Sequence, residues 1–129
     1  MATFIFTKRI MEGREIEVFN KGNMRRDFTF IDDIVDGIIG AVNLKIKFKH
    51  RIYNLGNNNP EDLSNFINLI EQTVGIAAKK KLLPIQPGDV RETFAEISES
   101  TKDLNFMPKV NIEEGIPKFI EWYKTYYKI

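Results

Sequence analysis

Hydrophobic and polar positions alternate with two distinct periods along this chain. Residues 2–12, ATFIFTKRIME, open directly on apolar residues without an N-cap and read as a helix already under way, as if the chain began inside a longer one. EIEVFN (15–20) and RDFTFI (26–31) alternate at period two, and NKGN (20–23) between them has the composition of a turn that tolerates positive φ. Together they predict a strand pair. In 31–44, IDDIVDGIIGAVNL, Ile31, Ile34, Val35, Ile38, Ile39 and Val42 recur at helical spacing, with Asp32, Asp33, Asp36 and Asn43 opposite. RIYNLG (51–56) has strand character. Asn59 then reads as an N-cap, Pro60 as the first helical residue, and Glu61 and Asp62 as an acidic first turn. Leu63, Phe66, Ile67, Ile70 and Val74 make the apolar stripe of that helix, which Gly75 stops.

Further along, KKLLPI (80–85) predicts a short strand, QPGD (86–89) a tight turn, and Thr93 to Ala95 an extended piece. A short helix follows Ser98 and ends near Asn105, before Pro108. Asn111 and Glu114 form a capping box for a last helix whose Ile116, Phe119, Ile120, Tyr123 and Tyr127 share a face. Pro117 falls inside it, which predicts a kink or a later start. Strands separated by helical segments define an α/β or mixed α+β fold.

Composition narrows the chemistry. The 129 residues, 43% hydrophobic, are enough for one globular unit, and no apolar run is long enough to span a membrane. Nineteen basic residues against eighteen acidic leave a net charge of +1, so no global field recruits nucleic acid or an acidic membrane. The absence of cysteine excludes disulfides, thiol catalysis and zinc–thiolate sites, and the single His50 leaves no histidine pair for a metal. Lys8 and Arg9 follow the short apolar stretch Phe4 to Phe6 instead of preceding it, unlike a secretion signal, so a cytoplasmic location is expected.

Most candidate motifs have plainer explanations. Gly37, Gly40 and Asn43 form G-x-x-G-x-x-N, but inside a helical pattern and not after a strand, which points to close helix packing in place of a dinucleotide loop. No tyrosine is followed four residues later by lysine, and Ser98 and Ser100 have no neighbouring histidine base. His50 lies in the basic run 45–51, read as a solvated helix end, and Lys79 to Lys81 read as an exposed strand start. Two places carry more. Arg25 and Arg26 begin a strand directly after a Gly-Asn turn, where a guanidinium suits a phosphate, a carboxylate or a surface ion pair. QPGD offers an amide, a glycine backbone and a carboxylate, a set suited to sugar hydroxyls or to a turn closed by its own Asp89.

Four blocks, MRRDFTFIDDIVDGI (24–38), YNLGNN (53–58), LPIQPGDV (83–90) and IEEGIPKFIEWYKTYY (112–127), resemble the C-terminal part of the extended short-chain dehydrogenase/reductase nucleotide-sugar epimerases. The nearest group is the UDP-glucuronate 4-epimerases, including those of capsular polysaccharide synthesis. The resemblance implies the C-terminal part of a Rossmann-type enzyme that binds NAD on an N-terminal domain, with residues 1–129 forming the substrate-binding portion and 31–56 packing on that Rossmann domain. It further implies that Arg26 meets the pyrophosphate, that Asp89 bonds the ribose with Gln86 near the phosphates, and that Phe19 lies against uracil while the backbone of Glu17 and Phe19 reads its edge. Thr3 falls at the start of the helix that approaches the pyrophosphate. Gln86 stands where many relatives have Arg, Arg91 where Pro is frequent, and Asn105 where Gly is frequent.

The glycine-rich NAD loop and the Tyr-x-x-x-Lys couple of the family are not among these 129 residues. The expectation is therefore a substrate-binding portion that is inactive by itself, binds no NAD alone and holds a UDP-sugar weakly, with self-association or a Rossmann-domain partner. Two other readings are a non-catalytic module that completes a separately encoded Rossmann half, and a 4,6-dehydratase or decarboxylase of the same family.

Overall fold

A computed structural model describes residues 2–45 and 50–129. Five helices and four short strands follow in the order α1 (Ala2–Met11), β1 (Glu15–Val18), β2 (Arg25–Asp27), α2 (Ile31–Val42), β3 (Pro60–Asp62), α3 (Leu63–Val74), β4 (Lys79–Leu82), α4 (Ser98–Leu104) and α5 (Ile112–Tyr127). The mixed α/β character expected from the sequence is present.

One core joins α1, α3, α5 and β1. Phe6 and Ile10 of α1, Ile16 and Val18 of β1, Phe66 and Ile70 of α3, and Ile116 and Ile120 of α5 are all buried in it. Phe28 stacks flat on Phe66 with ring centroids 3.9 Å apart, bringing the chain after β2 onto α3. Gly75, at φ 78, caps α3 in the left-handed conformation that glycine adopts without steric cost. Asn105 does the same for α4 at φ 55, the left-handed position that asparagine tolerates. Asn111 caps α5 by accepting a hydrogen bond from the Glu114 amide at 3.0 Å.

The strand pairing differs from the expected hairpin. β1 pairs in parallel with β4, Glu15 opposite Lys79, and β2 pairs antiparallel with β3, Arg26 opposite Glu61. The reason lies in the connection. A 3-10 turn over Phe19–Gly22 puts Asn20, Lys21 and Gly22 at positive φ. Three successive left-handed residues, where a two-residue hairpin turn has two, redirect the chain so that β2 cannot fold back on β1. Beyond β1 the ladder continues through Leu83 N–H to Val18 O at 2.9 Å and Lys21 N–H to Leu83 O at 3.1 Å.

Other boundaries move for local reasons. Asn59 is not the cap of α3: Pro60, Glu61 and Asp62 are taken up by pairing with β2, so the helix starts at Leu63, with Asp62 at the N-cap position but making no side-chain capping bond. Residues 51–56 form no strand, having no ladder partner among the described residues. β4 begins at Lys79 and ends at Leu82. α5 starts at Ile112 and runs through Pro117; the carbonyl deprived of its donor, that of Glu113, is on an exposed residue in the first turn. Part of the basic run 45–51 lies outside the described residues.

Helix α2 has two unlike faces. Asp33 and Gly37 are buried, and Gly40 is half-buried. A Cβ on Gly37 would stand 2.6 Å from Leu55 Cδ2, and one on Gly40 would stand 2.8 Å from the Leu104 carbonyl oxygen. These two glycines therefore serve close packing, as their place in a helical pattern predicted. Opposite them Ile31, Val35, Ile38, Ile39 and Val42 are exposed, Val42 at 79%.

Candidate functional site

Two loops and four elements meet at a cavity of about 340 Å³. α1 contributes Ala2 and Phe6, and the start of α3 contributes Leu63. β1 and the turn after it place Glu17 and Phe19 on one wall, β2 places Arg26 and Asp27 on another, and the segment after β4 brings Asp89 and Thr93 across from them. Four of the residues singled out in the sequence, Glu17, Phe19, Arg26 and Asp89, thus line one space. Thr3 and Gln86 do not. Thr3 is half-buried in the first turn of α1, whose neighbouring Ala2 reaches the wall, and Gln86 is exposed, its carbonyl accepting the Asp89 amide at 3.1 Å to close the turn. Gly88 takes φ 82 in that turn.

The adjacent arginines have different tasks. Arg25 is a structural tie: its Nη1 meets Glu92 Oε2 at 2.7 Å, its Nη2 donates to the Pro60 carbonyl at 2.8 Å, and its amide donates to the Arg91 carbonyl at 2.8 Å. It joins β2 to β3 and to the 89–93 segment. Arg26 faces the cavity. Its Nη1 donates to the carbonyls of Arg25 and Arg91, and its Nη2 meets Asp89 Oδ1 at 2.8 Å. The Arg26 side chain is 24% exposed and that of Asp89 32%. A guanidinium held by two carbonyls, with a displaceable carboxylate on its open edge, is equipped to meet an anion.

Sequence reasoning missed Asp27. Its Oδ1 accepts from the Asn57 amide at 3.1 Å, and its Oδ2 accepts from the amides of Asn58 at 3.1 Å and Ala95 at 2.8 Å. One carboxylate thus knots three chain segments beside the cavity. Gly56 permits the knot, because a Cβ there would stand 2.4 Å from Ala95 Cβ. Asp33, placed opposite the apolar stripe of α2 by its spacing, is a second such case. It is buried and accepts from the amides of Lys109 and Val110 at 3.0 and 3.1 Å, fixing the approach to α5. A signal existed: Asp33, Gly37 and Gly40 share one helical face, so the small-residue stripe marked the contact side.

A second polar cluster holds the 51–56 segment to α4. Tyr53 Oη donates to Asp103 Oδ2 at 2.9 Å, Arg51 pairs with Glu99 and with Asp103, and the Ser100 hydroxyl donates to the Asn54 carbonyl. Desolvation, then the bond to Asp103, raises the Tyr53 phenol above its ordinary 10.0. These residues brace the fold and do not line the cavity.

Rossmann-type nucleotide-sugar enzymes are the class that this arrangement matches. The NAD dependent epimerase/dehydratase family matches residues 2–56. An uncharacterized protein of Methanocaldococcus jannaschii is 53% identical over 123 residues, covering 95% of this chain and 37% of the relative. Protein CapI of Staphylococcus aureus is 39% identical over 144 residues, covering 99% and 43%. The crystal structure of a UDP-glucuronic acid 4-epimerase from Bacillus cereus in complex with UDP-glucuronic acid and NAD superposes with a TM-score of 0.90 at 28% identity, covering 98% of this chain and 40% of that one. The chain is thus similar to proteins of the NAD dependent epimerase/dehydratase family, and it spans about 40% of the length of the relatives it matches.

The glycines of α2 do not form a dinucleotide loop for NAD. The nearest approach to a dinucleotide loop, Gly37 to Asn43, is inside α2 with its glycines pressed against Leu55 and Leu104. Backbone N–H groups within a helix are engaged in its own ladder and cannot cradle a pyrophosphate. Among the described residues, no helix is long and apolar enough to cross a membrane.

Proposed function

We propose that this chain is the substrate-binding portion of an NAD-dependent UDP-glucuronate 4-epimerase serving the synthesis of capsular or other cell-surface polysaccharide precursors, and that it is inactive by itself. The observation that carries this is the convergence of Arg26, Asp89, Glu17 and Phe19 on one cavity. In this reading the Arg26 guanidinium binds the pyrophosphate, Asp89 accepts from the ribose hydroxyls, and Phe19 and the Glu17–Phe19 backbone flank the uracil. Gln86 and Thr3 stand at the margin of this cavity, on the 86–89 turn and the first turn of α1. Proton and hydride transfer require the Tyr-x-x-x-Lys couple and the NAD loop, which these residues do not include. Half of a closed pocket loses preorganisation, so UDP binding is weak, in the millimolar range as an order of magnitude. Calorimetric titration with UDP and UDP-glucuronate tests this. Millimolar UDP binding that Arg26→Ala abolishes supports it; no heat in either protein removes the case for binding by this chain.

A specific feature also favours docking. Within 31–56, α2 offers an uncovered apolar face, with Ile38 and Ile39 each 52% exposed, and residues 51–56 have no strand partner among the described residues. We propose that this surface packs on a Rossmann domain, whether joined in one chain or separately encoded, and that without it the protein self-associates. Sedimentation at increasing concentration reads this: a monodisperse monomer contradicts it. Ile38→Glu is expected to shift an oligomer towards monomer.

A further inference from the structure

The cavity contains its own competitor. Arg26, the group assigned to the ligand phosphates, already holds an anion, the Asp89 carboxylate at 2.8 Å. Asp89 is also half-committed elsewhere, since its Oδ1 accepts from the Val90 amide at 2.9 Å. Arg25 keeps the neighbouring segment in place through Glu92, the Arg91 carbonyl and the amide of Thr93, which donates to the Arg25 carbonyl at 3.3 Å. Displacing Asp89 from Arg26 therefore leaves the loop anchored and the carboxylate still on the cavity wall.

An anion arriving at Arg26 must break this pair. A bare phosphate or pyrophosphate exchanges one anion for another, and it leaves Asp89 a free carboxylate beside new negative charge. A ligand whose phosphates are joined to a sugar brings hydroxyl donors for the carboxylate it displaces. Specificity is a difference of affinities, and a group that penalises the wrong ligand while rewarding the right one acts on both terms. We infer that Asp89 is a specificity-determining residue: by occupying Arg26 it screens out inorganic phosphates and admits sugar-linked diphosphates, which alone give the displaced carboxylate a hydrogen-bond donor. This rests on the proposed phosphate role of Arg26 and extends it to selectivity.

The test is titration of the full chain with inorganic pyrophosphate and with UDP, in the wild type, Asp89→Asn and Arg26→Ala. Asparagine keeps an oxygen for the Val90 amide and removes the charge on Arg26. Asp89→Ala is the second variant, and circular dichroism confirms that each is folded. Asp89→Asn is expected to bind pyrophosphate about fivefold tighter than wild type, the scale of releasing a half-buried ion pair. It should bind UDP no tighter, so the preference for UDP falls. Arg26→Ala should bind neither. Unchanged or weaker pyrophosphate binding in both Asp89 variants, or none in any protein, overturns the inference. If UDP binding by wild type is still lost in Arg26→Ala, that result leaves the nucleotide reading standing. Tighter pyrophosphate binding by Asp89→Asn without UDP binding by any protein upholds the screening role and removes the nucleotide reading instead.

Discussion

Replacing Asp33 by Asn tests the claim that an acidic residue placed opposite the apolar stripe of its helix is a structural clamp. Asp33 is 3% exposed and accepts two backbone amides, those of Lys109 and Val110. Three effects act together. As the third residue of α2, Asp33 loses its favourable interaction with the helix N-terminus, about 0.3–1 kcal/mol. One of its hydrogen bonds falls from charge-assisted to neutral strength, a loss of about 1 kcal/mol. The other amide then faces an NH2 group; because Lys109 is exposed and Val110 half-buried, water relieves part of that penalty, leaving about 1 kcal/mol. The total is about 2–3 kcal/mol, and the melting temperature should fall by about 6–15 °C for a chain of this length. Asp32→Asn is the control, since Asp32 is exposed in the same first turn and loses only the helix-terminus interaction. Thermal and urea unfolding followed by circular dichroism measure both. If the two variants agree within about 0.5 kcal/mol, Asp33 is not a clamp and the account of its burial is wrong.

Gly37→Ala and Gly40→Ala separate two kinds of close contact. Each gains about 1 kcal/mol of helix propensity. On Gly37 the new Cβ meets mainly the methyl groups of the half-buried Leu55, which can swing aside, with the Phe106 ring next at 3.0 Å, but on Gly40 it meets a backbone oxygen at 2.8 Å that cannot move. Gly40→Ala should be the less stable by at least about 1 kcal/mol in urea midpoint comparisons; equal midpoints refute this. Alkaline unfolding reports Tyr53. Its raised pKa means that the folded chain keeps a proton that the unfolded chain releases, so its contribution is complete below the ordinary value of 10.0 and is lost as pH rises beyond it. Tyr53→Phe should flatten the loss of stability above pH 10 relative to wild type, and an unchanged slope contradicts the assignment. Phe66→Ala removes the stacked partner of Phe28 and a fully buried core ring, at a cost of about 3–5 kcal/mol in urea unfolding.

The five helices were legible because their information is local. The stripe Leu63, Phe66, Ile67, Ile70 and its glycine stop, and the Asn111–Glu114 capping box, act within a few residues, and the structure contains both. Strand pairing was not legible for the opposite reason. EIEV alternates as a strand should, and RRD opens the second predicted strand, but their partners are KKKL and PED, far along the chain, and adjacency in sequence suggested a pairing that the left-handed residues Asn20 to Gly22 prevent. Within the cavity, Arg26 and Asp89 were visible as chemistry before they were visible as neighbours. Asp27 was not, because its role depends on amides from Asn57, Asn58 and Ala95 that no spacing rule connects to it.

The parallel pairing of β1 with β4 bears on how the chain is made. Glu15 finds Lys79, and Val18 finds Leu82, only after nearly all of the intervening chain has been synthesised. At roughly 5–20 residues per second, β1 waits on the order of several seconds with its edge unpaired. Throughout that interval the wall carrying Glu17 and Phe19 has no sheet to hold it, α1 lacks a complete α3 until Val74 is made, and α5 follows only after β4. Folding therefore closes from the C-terminal side. A ribosome stalled before Lys79 should hold a nascent chain open to protease at 15–18, and one stalled well beyond Leu82 should hold a chain protected there.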